Sequence, residues 1–186
     1  LTCSFDGTAC LIDPSNPDEP LRFNYGKGKQ SEDIAWKNEN EFAIALNSGH
    51  VVAFDKRNNA KPIWSFKPHK AECHSIHFCS GSGAETLLAT CGADRILNLY
   101  DVSKFDNSEK QTNALLYSVN KHVALFVVRF HNNDVVVGGE SIIEMTDLRS
   151  LEKVREAYPS NFVVPEGAVM EDVEPENMDE EEGEMD

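Results

Sequence analysis

Four short segments of this chain close on an aspartate and recur at nearly constant distance. They are DGTACLID (residues 6–13), SGHVVAFD (48–55), DRILNLYD (94–101) and ESIIEMTD (140–147). The closing aspartates, Asp13, Asp55, Asp101 and Asp147, follow one another at 42, 46 and 46 residues. A period of this length marks an array of one supersecondary unit, in which each copy buries its apolar face against the next. Within every segment the positions four and two before the aspartate are apolar: Ala9 and Leu11, Val51 and Ala53, Leu97 and Leu99, Ile143 and Met145. That alternation is the period of a strand with one face buried.

Each segment has a second apolar run upstream: LTCSF, EFAIAL, TLLATCG and DVVVGG. Between the two runs lie Asp6-Gly7, Ser48-Gly49, Asp94-Arg95 and Glu140-Ser141, residues of the kind that close a tight hairpin. Runs ending in an aromatic come earlier still (SEDIAW, CHSIHF, ALFVVRF), and LRFNY, PIWSF and ALLYSV lie between units. Four strands per repeated unit describe a β-propeller blade. The expected fold is all-β: a partial propeller of about three and a half four-stranded blades over residues 1–164, one incomplete unit being followed by three complete ones. Only Leu151–Ala157 shows a hint of one helical turn. A ring needs roughly four to eight blades to hide its sheet edges, and Leu1 is not an initiator methionine. The expectation is the C-terminal half of a larger, seven-bladed ring.

These features resemble the WD-repeat (WD40) family. At the Trp-Asp position stand Ile12-Asp13, Phe54-Asp55, Tyr100-Asp101 and Thr146-Asp147, so the aspartate is kept and the tryptophan is not. In the third unit His69, Thr90, Asp94 and Tyr100 fall where the family places a hydrogen-bonded chain of His, Ser/Thr, turn Asp and strand Trp. The resemblance implies a structural network there, with the Tyr100 hydroxyl replacing the indole N–H. In the first unit Thr2 and Asp6 match the pattern, and the second and fourth carry Ser48 and Glu140 where the turn aspartate belongs. The stretch SEDIAWK, EFAIALNSGHVVAFDKR, AKPIWSFKPHKAECHSIHF is similar, more narrowly, to the C-terminal part of the periodic tryptophan branch of the family. That similarity implies a nuclear, nucleolar protein in ribosome biogenesis, with pre-ribosomal assembly factors as partners and a chromatin or rRNA-transcription link in some members.

Charge divides the chain in two. The formal net charge is −15, yet residues 165–186 hold eleven acidic residues and no Lys or Arg, which leaves 21 acidic against 17 basic residues before them. A segment so charged has too little apolar surface to offset the entropy of ordering, so residues 165–186 are expected to be a disordered acidic tail. Such a polyanion is attracted to basic proteins, histones or ribosomal proteins, or serves only solubility. Cysteines 3, 10, 73, 79 and 91 are odd in number and unpaired in spacing, which points to a reducing compartment. No apolar run approaches the ~18 residues of a membrane span, so the expectation is a soluble protein.

Catalytic and cofactor chemistry finds little footing. His69, Cys73, His74, His77 and Cys79 are dense enough to raise zinc, but residues 73–78 read as a strand that sends alternate side chains to opposite faces. Cys73 and Cys79 sit in apolar surroundings unlike those of a reactive thiolate. GKGKQS (26–31) lacks the phosphate-loop spacing and reads as a connection whose lysines touch a phosphate backbone at most; direct RNA contact stays open. Trp36 and Trp64 read as packing aromatics. No enzyme activity and no cofactor are expected. Two triplets, Asp55-Lys56-Arg57 and Asp147-Leu148-Arg149, resemble a signature by which some WD-repeat proteins dock on a cullin-type ubiquitin ligase adaptor, making Arg57 and Arg149 candidate docking residues. The expected function is a scaffold for protein and ribonucleoprotein assembly in ribosome biogenesis; a ligase substrate receptor and a histone-binding protein are the alternatives.

Overall fold

The computed structural model describes residues 1–106 and 111–168. Among these residues fourteen strands build four antiparallel sheets in chain order. The first holds β1 (Thr2–Cys3), β2 (Thr8–Asp13) and β3 (Asn16–Asn24). The second holds β4 (Ser31–Trp36), β5 (Glu41–Leu46), β6 (Val51–Asp55) and β7 (Trp64–Phe66). The third holds β8 (Cys73–Phe78), β9 (Leu87–Gly92), β10 (Ile96–Asp101) and β11 (Leu115–Asn120). The fourth holds β12 (Leu125–His131), β13 (Asp134–Gly139) and β14 (Ile143–Asp147). Each sheet is a meander of neighbouring strands, and the set is a partial WD40-type propeller.

Core packing follows from strands apolar on both faces. In β5, Phe42, Ile44 and Leu46 pack with Ala9 and Phe23 of the first sheet. The intervening Ala43 and Ala45 turn to Ile76, Leu88 and Tyr100 of the third. The large residues fill one inter-sheet layer and the small ones admit the next blade closely. The third sheet repeats the device: Leu88 faces back, while Ala89, Cys91, Leu97 and Leu99 meet Leu125, Val128, Val135 and Val137 of the fourth.

The three innermost strands carry the same irregularity. Register shifts between Ser31 and Asp33, Cys73 and Ser75, and Leu125 and Val127 leave Glu32, His74 and Phe126 as the extra residues of three bulges. Asp33 and Ser75 therefore hold equivalent places in adjacent units.

The fourth unit differs from the expected complete blade: it has three strands among the described residues. After β14 the chain makes a 3-10 turn (Leu148–Ser150) and the helix α1 (Glu152–Ala157) instead of returning as an outer strand. Leu148, Leu151, Val154, Tyr158 and Phe162 recur at intervals of three to four and are buried in the core shared with the third sheet. The Tyr158 hydroxyl lies 2.9 Å from Thr86 Oγ1, and Asn161 Nδ2 donates to Ser82 O at 2.7 Å. This segment is thus spent on the third sheet, and Ile143 and Met145 on β14 remain 85% and 68% exposed. The acidic tail expected over residues 165–186 lies outside the described residues from position 169 onward.

Candidate functional site

All four closing aspartates do the same local work. Asp13 Oδ1 accepts the Ser15 N–H at 2.9 Å, Asp55 Oδ1 the Arg57 N–H at 2.9 Å, Asp101 Oδ1 the Ser103 N–H at 3.1 Å and Asp147 Oδ1 the Arg149 N–H at 2.9 Å. Each is an Asx turn that ends its strand, β2, β6, β10 or β14. The side chain two residues on donates as well: the Ser15 and Ser103 hydroxyls, and the guanidiniums of Arg57 and Arg149. Both arginines grip bidentately, with Nε and Nη2 on the two carboxylate oxygens. The Arg57 side chain holds the Asp55 carboxyl down at about 2. Arg149 lowers Asp147 and Ser15 lowers Asp13. Burial works against Asp101, but bonds from Ser103, Thr86 and Tyr158 outweigh it and its carboxyl too is lowered. The two candidate docking arginines thus each brace their own turn, Arg57 with 65% of its side chain exposed. The D-x-[S/R] pattern stands in the sequence at all four positions, and reading it only at the two arginines missed Ser15 and Ser103.

The third unit brings together three of the four residues of the expected network. His69 Nδ1 donates to Asp94 Oδ1 at 2.8 Å, and its Nε2 lies 2.9 Å from Thr90 Oγ1. Since a carboxylate only accepts, His69 presents a proton on Nδ1 to Asp94, and its Nε2 pairs with the Thr90 hydroxyl. Asp94 also accepts the backbone N–H of Lys70 at 2.9 Å and of Ile96 at 3.3 Å. Burial pushes its carboxyl up, and the His69 and backbone bonds bring it below the ordinary value. Tyr100 departs from the expectation. Thr90 pairs across the sheet with Asn98, while Tyr100 pairs with Leu88, two residues farther along. The Tyr100 ring sits edge-on to Phe66 at 5.0 Å, and burial raises its hydroxyl. None of the described hydrogen bonds links it to Thr90. In the other units Asp6 bonds Thr8, Ser48 bonds His50, and Glu140 is exposed.

The inner strands hold a polar network that the sequence did not announce. Asp33 of β4 and Ser75 of β8 are joined at 2.7 Å, and Arg129 of β12 reaches both. Beside it, His77 Nδ1 accepts the Phe130 N–H at 3.2 Å, and burial lowers the pKa of His77. The cysteine and histidine cluster is dispersed by the strand, as alternation requires. Cys73 is buried with its thiol pushed well up by desolvation, His74 turns to the Phe126 ring at 5.3 Å, and burial raises the Cys79 thiol. Burial also raises Cys91, to about 12. Such thiols are poor nucleophiles. Among the described residues no three His, Cys, Asp or Glu side chains converge as a metal-holding group.

Outside these networks, the sheet ends present connecting loops. Lys27 and Lys29, on a loop with Gly26 and Gly28 at positive φ, are exposed, as are Lys67, Lys70 and Arg95. At the opposite end Trp36 is 40% exposed, its ring 5.4 Å from Phe42. Trp64 is enclosed by Phe66 and Phe105 at 5.9 and 5.1 Å.

No family model matches the chain. It is similar to Periodic tryptophan protein 1 of Saccharomyces cerevisiae, 24% identical over 176 residues, covering 87% of this chain and 30% of the relative. It is also similar to an uncharacterised WD repeat-containing protein of Schizosaccharomyces pombe, 25% identical over 139 residues, covering 69% of this chain and 25% of the relative. The chain thus spans a third or less of the length of these two curated relatives. The four aspartate-capped meanders, their stacking through shared apolar layers and these two relatives agree: the chain resembles WD-repeat proteins and folds as part of a WD40-type β-propeller.

Proposed function

We propose that this chain is part of the propeller of a non-enzymatic WD-repeat scaffold that organises protein and ribonucleoprotein assembly in ribosome biogenesis, in the nucleus and nucleolus. The observation that carries this reading is the likeness to Periodic tryptophan protein 1, which spans nearly the whole chain. The side-chain chemistry agrees with it. The closing aspartates are used in turns, His69 and Asp94 in a buried network, and the cysteines Cys73, Cys79 and Cys91 in the core. What remains for recognition is the loop surface at the two ends of the sheets, the usual site of binding on a rigid β scaffold. Pre-ribosomal assembly factors are the proposed partners, and basic proteins are proposed to meet the acidic residues of the tail. A ligase substrate receptor is the alternative reading, and its candidate docking residues, Arg57 and Arg149, also pair with Asp55 and Asp147.

The test is affinity purification of the full-length native protein from cells at moderate salt, with protein and RNA both identified. Large-subunit pre-rRNA and assembly factors in the eluate are the expected result. Cullin adaptor components without pre-ribosomal material would overturn it.

A further inference from the structure

Repeat architectures are stacked so that each unit touches its neighbours, and their cooperativity is normally passed from one interface to the next. A contact among the described residues skips a unit. Asp33 on β4 of the second sheet and Arg129 on β12 of the fourth are 96 residues apart, yet Arg129 Nη1 lies 3.3 Å from Asp33 Oδ2. Ser75 on β8, in the sheet between them, completes a triangle. Its hydroxyl donates to Asp33 Oδ2 at 2.7 Å and accepts from Arg129 Nη1 at 2.8 Å and from the Val128 N–H at 3.2 Å. The Ile76 N–H reaches the same Asp33 oxygen at 3.1 Å, and Arg129 Nη1 also donates to Val128 O at 2.7 Å.

The position of this group explains how it forms. Asp33 and Ser75 each follow the bulge of their inner strand, which tilts them toward the neighbouring unit. Ser75 is 2% exposed, and the side chains of Asp33 and Arg129 are 19% and 48% exposed. Water therefore screens the ion pair from the guanidinium side, while the Ser75 hydroxyl is itself buried and costly to leave unpaired. The fourth sheet packs on the third through Leu125, Val128, Val135 and Val137, and the Val128 N–H bond to Ser75 lies in that same interface.

We propose that Asp33, Ser75 and Arg129 form a conformational clasp coupling the fourth sheet directly to the second, so that β4, β8 and β12 open together rather than one sheet at a time. A purely nearest-neighbour stack would let the fourth sheet open alone, with the second unaffected. The clasp makes an alteration in the second sheet felt in the fourth, and the reverse.

Native-state hydrogen exchange on the intact protein distinguishes the two. Asp33→Asn, in the second sheet, is expected to speed exchange of amides 135–137 on β13 by about tenfold or more, the scale of a lost sub-global opening barrier. Arg129→Met is expected to do the same, and the double variant no more than the stronger single one, because both remove one unit. Acceleration by Asp33→Asn confined to the second sheet, or effects that multiply in the double variant, would overturn the clasp. Should Asp33→Asn fail to fold, Arg129→Met removes only a half-exposed guanidinium and is read at amides 43–45 on β5. Faster exchange there supports the coupling, and unchanged exchange refutes it.

Discussion

The guanidinium of Arg57 lies flat against the carboxylate of Asp55, two residues before it, with Nε at 2.9 Å and Nη2 at 2.5 Å. Arg149 repeats the arrangement on Asp147 a full two units later. In the other two units a serine hydroxyl takes the arginine's place. The repeat thus preserves a function, a donor two residues after the aspartate, rather than a residue. The aspartate survives without its tryptophan because the turn needs the carboxylate whatever the preceding side chain.

The turn bond sets the size of an alanine substitution. Asp101→Ala removes a buried cap whose carboxylate serves Ser103 and lies beside Thr86 and Tyr158. Loss of about 1 to 2 kcal/mol is expected, in the range of a lost Asp cap. Arg57→Ala leaves the Asp55 turn its backbone N–H and removes only an exposed donor. It is expected to shift the urea midpoint far less than Asp101→Ala. Equal shifts for the two would mean that the backbone bond is not what holds the turn.

Acid should act through the same residues. Asp13, Asp55, Asp94, Asp101 and Asp147 all have carboxyls held below their ordinary value in the fold. In the unfolded chain they titrate near 3.9. Below that value the unfolded state binds more protons, so stability rises with pH through the carboxylate range. The contribution is complete above about pH 5 and is lost as pH falls, with Asp55 protonating in the fold only at about 2. Urea denaturation between pH 2 and 6 should show this slope. The slope should lessen in an Asp94→Asn, Asp101→Asn double variant; an unaltered slope would assign acid sensitivity to other groups.

Tyr100 and Asp94 make a contrasting pair. Asp94→Ala strands the buried His69 Nδ1–H and the Lys70 N–H, for an expected loss of about 1 to 3 kcal/mol. Tyr100→Phe keeps the ring between Phe66 and Phe105 and removes a hydroxyl that no described bond ties to Thr90. Its cost should fall below the ~1 kcal/mol net value of a hydrogen bond. Thermal unfolding of both variants decides it. A loss for Tyr100→Phe matching that of Asp94→Ala would place the hydroxyl back in the chain.

The contrast also shows where sequence reading reaches. Strand positions were legible because period-two alternation and the closing aspartate act within a few residues, as in EFAIAL and ILNLYD. His69, Thr90 and Asp94 were legible because each lies at a turn or strand position fixed by the repeat. Tyr100 was not, because its reach depends on a cross-strand register that pairs it with Leu88. The missing outer strand of the fourth unit was hidden in the spacing of Leu148, Leu151, Val154, Tyr158 and Phe162, a helical pattern too short to outweigh the repeat. Asp33, Ser75 and Arg129 were invisible, since only the stacking of bulged inner strands from three units brings them together.

Two glycines at nearly the same backbone angle separate local strain from packing. Gly28 and Gly49 both have φ of +81. A Cβ on Gly28 meets nothing within 4 Å, whereas on Gly49 it falls 2.3 Å from His69 O and 2.5 Å from Ala71 O. Gly28→Ala therefore costs only the left-handed backbone, about 1 kcal/mol. Gly49→Ala adds a collision with the backbone of the connection that carries His69, and neither partner is a flexible side chain. Its expected cost is above about 2 kcal/mol, and it should displace His69 from Asp94 and Thr90. Measured by thermal unfolding with the His69 ring resonances followed in parallel, Gly49→Ala is expected to show both effects and Gly28→Ala only the smaller loss. Equal losses with unmoved His69 resonances would show that the connection yields and that the close approach at Gly49 does not position the histidine.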